Sequence, residues 1–100
     1  MKWLEIITIR SVQPVEKSNV LEIFIQTNRL KSAFPKASVS LYHHANIGSD
    51  VSFHIHWDGE KNETKKSTIG EFVSRSLKKY GLVNYSIWVN DVEPAMDLKI

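Results

Sequence analysis

The segment Val39–Trp57 limits what this chain can become more than any other. It reads Val39-Ser40-Leu41-Tyr42-His43-His44-Ala45, then Asn46-Ile47-Gly48-Ser49-Asp50, then Val51-Ser52-Phe53-His54-Ile55-His56-Trp57. Both arms alternate with period two and are rich in β-branched and aromatic residues, and the cluster between them is turn chemistry, so the segment reads as a β-hairpin. Folded about Gly48, it sets His43 opposite Phe53, Leu41 opposite Ile55 and Val39 opposite Trp57 on one largely apolar face. The other face carries Ser40, Tyr42, His44, Ser52, His54 and His56. All four histidines of the chain lie in this hairpin, and three of them share that second face.

What flanks the hairpin completes a βαββαβ order. Trp3–Val12 reads as a first strand, whose Ile6-Ile7-Thr8-Ile9 centre is apolar on both sides, as a strand inside a covered sheet should be. Pro14 suits a helix start, with Glu16 in the first turn. The apolar residues Val20, Leu21, Phe24, Ile25 and Leu30 then recur at near-helical spacing, so a first helix is expected up to Leu30. Lys31–Lys36 is a connector ended by Pro35. After the hairpin, 60–66 is entirely polar and reads as a loop. Thr68 with Glu71 three residues on forms a capping box for a second helix with core residues Ile69, Phe72, Val73 and Leu77. Lys78 and Lys79 suit its C-terminal end, and Gly81 suits a left-handed cap. Val83–Val89 is the last strand, with Tyr85, Ile87 and Val89 on one face and Ser86 and Trp88 on the other.

Each strand–helix–strand half has room for a crossover helix. Right-handed crossovers then give one antiparallel sheet in the order 4-1-3-2 with both helices on one face, the ferredoxin-like α+β sandwich. The expected organisation is one domain over 1–90 and an extended tail over 91–100, which contains Pro94. One hundred residues support one core and no second. A net charge of +2 is too small to imply a polyanionic partner. With no cysteine, a disulfide framework, a thiolate metal site and a cysteine nucleophile are excluded. The chain shows no apolar signal core and no run of membrane-span length, so a cytoplasmic protein is expected.

In this strand order, in length and in a hairpin whose second arm closes on a tryptophan, the chain resembles the dimeric α/β-barrel group. That group includes the antibiotic-biosynthesis-monooxygenase-like domains. Phe53-His54-Ile55-His56-Trp57-Asp58-Gly59 is similar to the short strand ending in an aromatic, followed by a polar turn, found in those families. The resemblance spans most of Trp3–Val89 and implies a homodimer whose two sheets pack face to face into a barrel. Ile55 stands where an acidic residue is often found, and the helix that follows lacks the histidine of haem-degrading members. Of the family pattern, Trp57 alone carries over.

Two helices can cover only one face of the sheet. The other face would carry Tyr42, His44, His54, His56 and Trp88, too aromatic for plain solvated surface and too polar for a core. The expected function is therefore a small-ligand-binding or interaction module that uses this face, assembled as a homodimer, with those five residues lining the site. A cofactor-independent, monooxygenase-like enzyme is the alternative that the resemblance suggests, with one histidine as general base and Tyr42 as donor. A third reading is a metal site. His54 and His56 point the same way about 6.5 Å apart, and His44 lies diagonal to them, so three imidazoles could chelate one ion. Otherwise these histidines line an interface, hydrogen-bonded to Tyr42, Ser40 and Ser86. No cofactor is implied. Serine elbows and phosphate-binding glycine loops are missing, which disfavours hydrolase and nucleotide-transfer readings. The basic-aromatic signature of RNA-recognition strands and any membrane-length run are missing too, so neither nucleic acid nor membrane is an expected partner.

Overall fold

Along the first strand Trp3, Glu5, Ile7 and Ile9 are buried, while Leu4, Ile6 and Thr8 between them are partly covered by their neighbours. A strand built this way belongs inside a sheet, and that is where it lies. The computed structural model describes residues 2–11, 15–47, 50–58 and 66–90. They form β1 (Lys2–Arg10), α1 (Lys17–Lys31), β2 (Ala37–His43), β3 (Val51–Asp58), α2 (Thr68–Leu77) and β4 (Leu82–Val89). The sheet order is β2-β3-β1-β4, and each neighbouring pair is antiparallel. This is the expected 4-1-3-2 order read from the other edge, the ferredoxin-like βαββαβ fold. No helix among the described residues is long and apolar enough to cross a membrane.

Both helices pack on the side of the sheet that carries Ile7, Ile9, Phe53 and Ile55. There Val20 and Ile23 of α1 and Ile69, Val73 and Leu77 of α2 complete the core. Burying side chains of this size stabilises a fold by about 1.5–3 kcal/mol each.

Several local expectations are corrected. The hairpin register is shifted by two residues: Leu41 faces Phe53, Val39 faces Ile55 and Ala37 faces Trp57. The cause is a longer connection, closed by His44 N donating to Asp50 O and Asp50 N donating to Ile47 O. A shift of two keeps every side chain on its expected face, whereas a shift of one would have exchanged the faces. In α1 the buried stripe is Val20, Ile23 and Thr27, not a face that includes Leu21 and Ile25, which are 44% and 46% exposed. Positions 20, 23 and 27 follow the helical repeat, while 21 and 25 fall to its flank. Thr27 tolerates burial because its hydroxyl donates to Ile23 O at 2.6 Å.

Ser67 caps α2 in place of Thr68; its side-chain oxygen accepts from Gly70 N at 3.0 Å. Gly81 is not left-handed. It is required because a Cβ there would sit 2.5 Å from Arg10 O, where the chain returns against the end of β1. Pro14, Gly48, most of the polar loop and the 91–100 tail lie outside the described residues.

Candidate functional site

Register determines which side chains meet on the face that the helices leave open. Three cross-strand rows run from β2 to β4: Ser38–His56–Leu4–Trp88, Ser40–His54–Ile6–Ser86 and Tyr42–Ser52–Thr8–Asn84. A further row, Lys36–Asp58–Lys2–Asn90, continues the sheet at one end. Lys2 faces Asp58, Asp58 N donates to Lys36 O, and Asn90 N donates to Lys2 O.

His54 stands near the middle of this face. Its Nε2 lies 2.8 Å from Ser52 Oγ, its ring centroid is 4.6 Å from that of Tyr42 and 6.2 Å from that of His56. Burial, and then the neighbouring His56, hold its imidazole below the ordinary value of 6.5, so the neutral ring is favoured. The expected partners of the histidines are replaced. Ser52 is the one that meets His54, Tyr42 makes a ring contact, and Ser86 Oγ accepts from Trp88 Nε1 at 2.9 Å.

His44 does not join them. It follows the last residue of β2, and its Nδ1 accepts from Asn46 N and Ile47 N, both at 3.0 Å, which folds the ring back on its own turn. Ser40 pairs with His54, so His44 lies four residues, about 13 Å, further along the strand direction. No group of three His, Cys, Asp or Glu side chains among the described residues could hold a metal ion. The three-histidine chelate expected of His44, His54 and His56 is therefore not assembled. The longer connection that shifted the hairpin register also removed His44 from the face.

The remaining candidates divide between two cavities at opposite ends of the sheet. One, of about 430 Å³, is lined by His56 and Trp88 together with Lys2, Leu4, Lys36 and Asp58, and Trp3 and Trp57 line it from the helix side of the sheet end. The other, of about 530 Å³, is lined by Tyr42 and His44 with Thr8, Arg10, Asp50 and Asn84. His54 lines neither.

Trp57, the position matched to the family pattern, turns toward the helices. It stacks on Trp3 with centroids 5.2 Å apart, meets Phe34 edge-on at 6.0 Å, and its Nε1 donates to Glu5 Oε2 at 2.8 Å. Glu5 is wholly buried and is the group that sequence reasoning missed. Besides Trp57 it receives Ser67 N at 2.8 Å, the Ser67 hydroxyl at 2.6 Å and the Tyr85 hydroxyl. Burial first, then Glu5 itself, push the Tyr85 phenol far above its ordinary value of 10, so it stays a donor. A lone carboxylate on the otherwise apolar stripe Trp3-Glu5-Ile7-Ile9 was the available signal.

No family model matches the chain, and no curated protein matches it. Among solved structures, it is similar to Rv0793 from Mycobacterium tuberculosis at a TM-score of 0.64 and 13% identity, covering 94% of this chain and 99% of that one. A formyltetrahydrofolate deformylase from Pseudomonas putida KT2440 matches at a TM-score of 0.49 and 6% identity, covering 94% of this chain and 30% of that one. At 13% identity the first likeness shows the ferredoxin-like fold.

Proposed function

We propose that this chain is a homodimeric small-ligand-binding module whose open sheet face is both the dimer contact and the ligand platform. The observation that supports this reading is the composition of that face. Leu4 and Ile6 form an apolar centre on β1; Trp88 flanks Leu4 on β4 and is 58% exposed, and Tyr42, 51% exposed, stands toward the β2 edge. Monomers rarely leave such a patch bare. A two-fold pairing uses one patch twice, so a single face suffices to build the dimer. The resemblance to dimeric α/β-barrel domains, drawn from the sequence, favours the same arrangement.

One observation favours a second reading, a cofactor-independent enzyme of the antibiotic-biosynthesis-monooxygenase-like kind. His54 is held neutral in a partly buried setting beside Tyr42, as a general base near neutral pH should be.

Light scattering on the purified chain tests the main reading. The wild type should have the mass of two chains, and Ile6→Glu, which places a carboxylate at the centre of the face, should have the mass of one with an unchanged circular dichroism spectrum. A wild type that stays monomeric at high micromolar concentration would remove the dimer from the proposal.

A further inference from the structure

We propose that the end of the open face built by Lys2, Leu4, His56 and Trp88 is a binding slot for a planar aromatic ligand with a single anionic group, such as an aromatic carboxylate. This rests on the reading of the open face as a ligand platform, but the slot forms within one chain and does not require the second copy.

The shape of the slot follows from register. Leu4 on β1 has His56 of β3 on one side and Trp88 of β4 on the other, in one cross-strand row. Neighbouring strands lie about 4.8 Å apart, so the backbones carrying the two rings are separated by about 10 Å. Side chains stand roughly perpendicular to a sheet. By the same rule the Leu4 side chain stands between them, so a flat ring would be seated over Leu4 with His56 and Trp88 on its two sides. Leu4 is the apolar floor. Trp88 is 58% exposed, and its indole N–H is already committed to Ser86 Oγ. That bond fixes the ring and leaves its apolar surface, not its donor, to a ligand. The slot is part of a cavity of about 430 Å³ that runs round the end of the sheet to Trp3, Trp57 and Val89, and that whole cavity is within the range of small-molecule sites.

The charge of the ligand follows from the adjoining row. Lys36 and Lys2 flank Asp58 there, two ammonium groups to one carboxylate, all lining the same cavity. Neither lysine forms a salt bridge among the described residues. Among the described residues that line the cavity, one positive charge is left over, which suits a monoanion. The cavity at the other end lacks this surplus, because its arginine, Arg10, is paired with Asp50 at 3.6 Å.

The probe is 2-naphthoate, titrated into the wild-type protein by calorimetry and followed by amide chemical shifts. Two controls separate the parts of the proposal: 2-naphthamide keeps the rings and loses the charge, and decalin-2-carboxylate keeps the charge and loses the planar π-system. Saturable binding of 2-naphthoate is expected, with shifts centred on Leu4, His56 and Trp88 and both controls at least about tenfold weaker. Lys2→Gln should weaken 2-naphthoate and leave 2-naphthamide unchanged. Trp88→Ala should remove binding of both while the circular dichroism spectrum stays that of the folded chain. Equal affinity for naphthoate and naphthamide would overturn the charge assignment. Shifts centred on Tyr42 and Thr8 would overturn the slot while keeping the open face as the platform. No saturable binding of 2-naphthoate would also overturn the slot, and the dimer mass from light scattering would report separately on the broader reading.

Discussion

Glu5 ties four elements together through one carboxylate: β1 carries it, and β3, the cap of α2 and β4 supply its donors. Its energetic role can be stated as an asymmetry. Tyr85→Phe removes one hydrogen bond to a charged group and strands nothing, at a cost of about 1.5–3 kcal/mol. Glu5→Leu is apolar and similar in size, yet it leaves the Trp57 N–H, the Ser67 N–H and the Tyr85 hydroxyl without an acceptor, each at about 1–3 kcal/mol. In urea denaturation, Glu5→Leu should therefore be the more damaging of the two; if it proved neutral, the carboxylate would have no structural role. Gly70 belongs to the same cluster. A Cβ there would collide with the Tyr85 hydroxyl and lie 2.7 Å from Glu5 Oε1. Gly70→Ala should destabilise the chain, and it should cost less in a Tyr85→Phe background, where the colliding oxygen is gone. A strictly additive double-mutant cycle would contradict this placement.

At the scale of elements, the N-terminus of α2 separates two adjacent hydroxyls. Ser67 Oγ accepts from Gly70 N and donates to Glu5, whereas Thr68 is the first residue of the helix. Ser67→Ala should exceed the cost of about 1 kcal/mol usual for a lost cap, and Thr68→Ala should stay within about 0.5 kcal/mol. The reverse order in thermal melts would restore Thr68 as the cap. The same stretch shows what was legible in the sequence. The helix itself was, because Ile69, Val73 and Leu77 repeat at its period. Its capping residue was not, because Ser67 and Thr68 satisfy the same rule and only the distant Glu5 chooses between them. The sheet faces were legible because period two survives a register shift of two. His44 was misplaced for the complementary reason: strand alternation says nothing about where a strand ends, and a turn claimed its ring nitrogen. Leu21 and Ile25 show the limit of hydrophobicity alone, since both are apolar and both face out.

For the whole molecule, the proposed pairing through the open face would make association a function of pH. His54 is the titrating group whose environment there opposes charge, through burial and then through His56. The neighbours on its face are Tyr42, Ser40, Ile6 and His56, and the charged row of Lys36, Asp58 and Lys2 lies beyond. The sign follows from a folded-state pKa that is lowered. Above 6.5 the imidazole is neutral in folded and unfolded chains alike, and His54 costs nothing. As pH falls through 6.5 the unfolded chain takes up the proton first, so stability is lost on the acid side. Packing a second sheet over the face would bury His54 further and add to the same penalty, now charged against the dimer. Acid should therefore dissociate the proposed dimer before it unfolds the chain. Light scattering across a pH series should show the two-chain mass giving way to the one-chain mass below 6.5, while circular dichroism still reports folded protein. His54→Gln should flatten that dependence, and His56→Gln should shift it only in part, because its charge is the second cause and not the first. A dimer mass indifferent to pH would mean that His54 does not lie in the contact, and the open face would then have to be a platform for ligand alone.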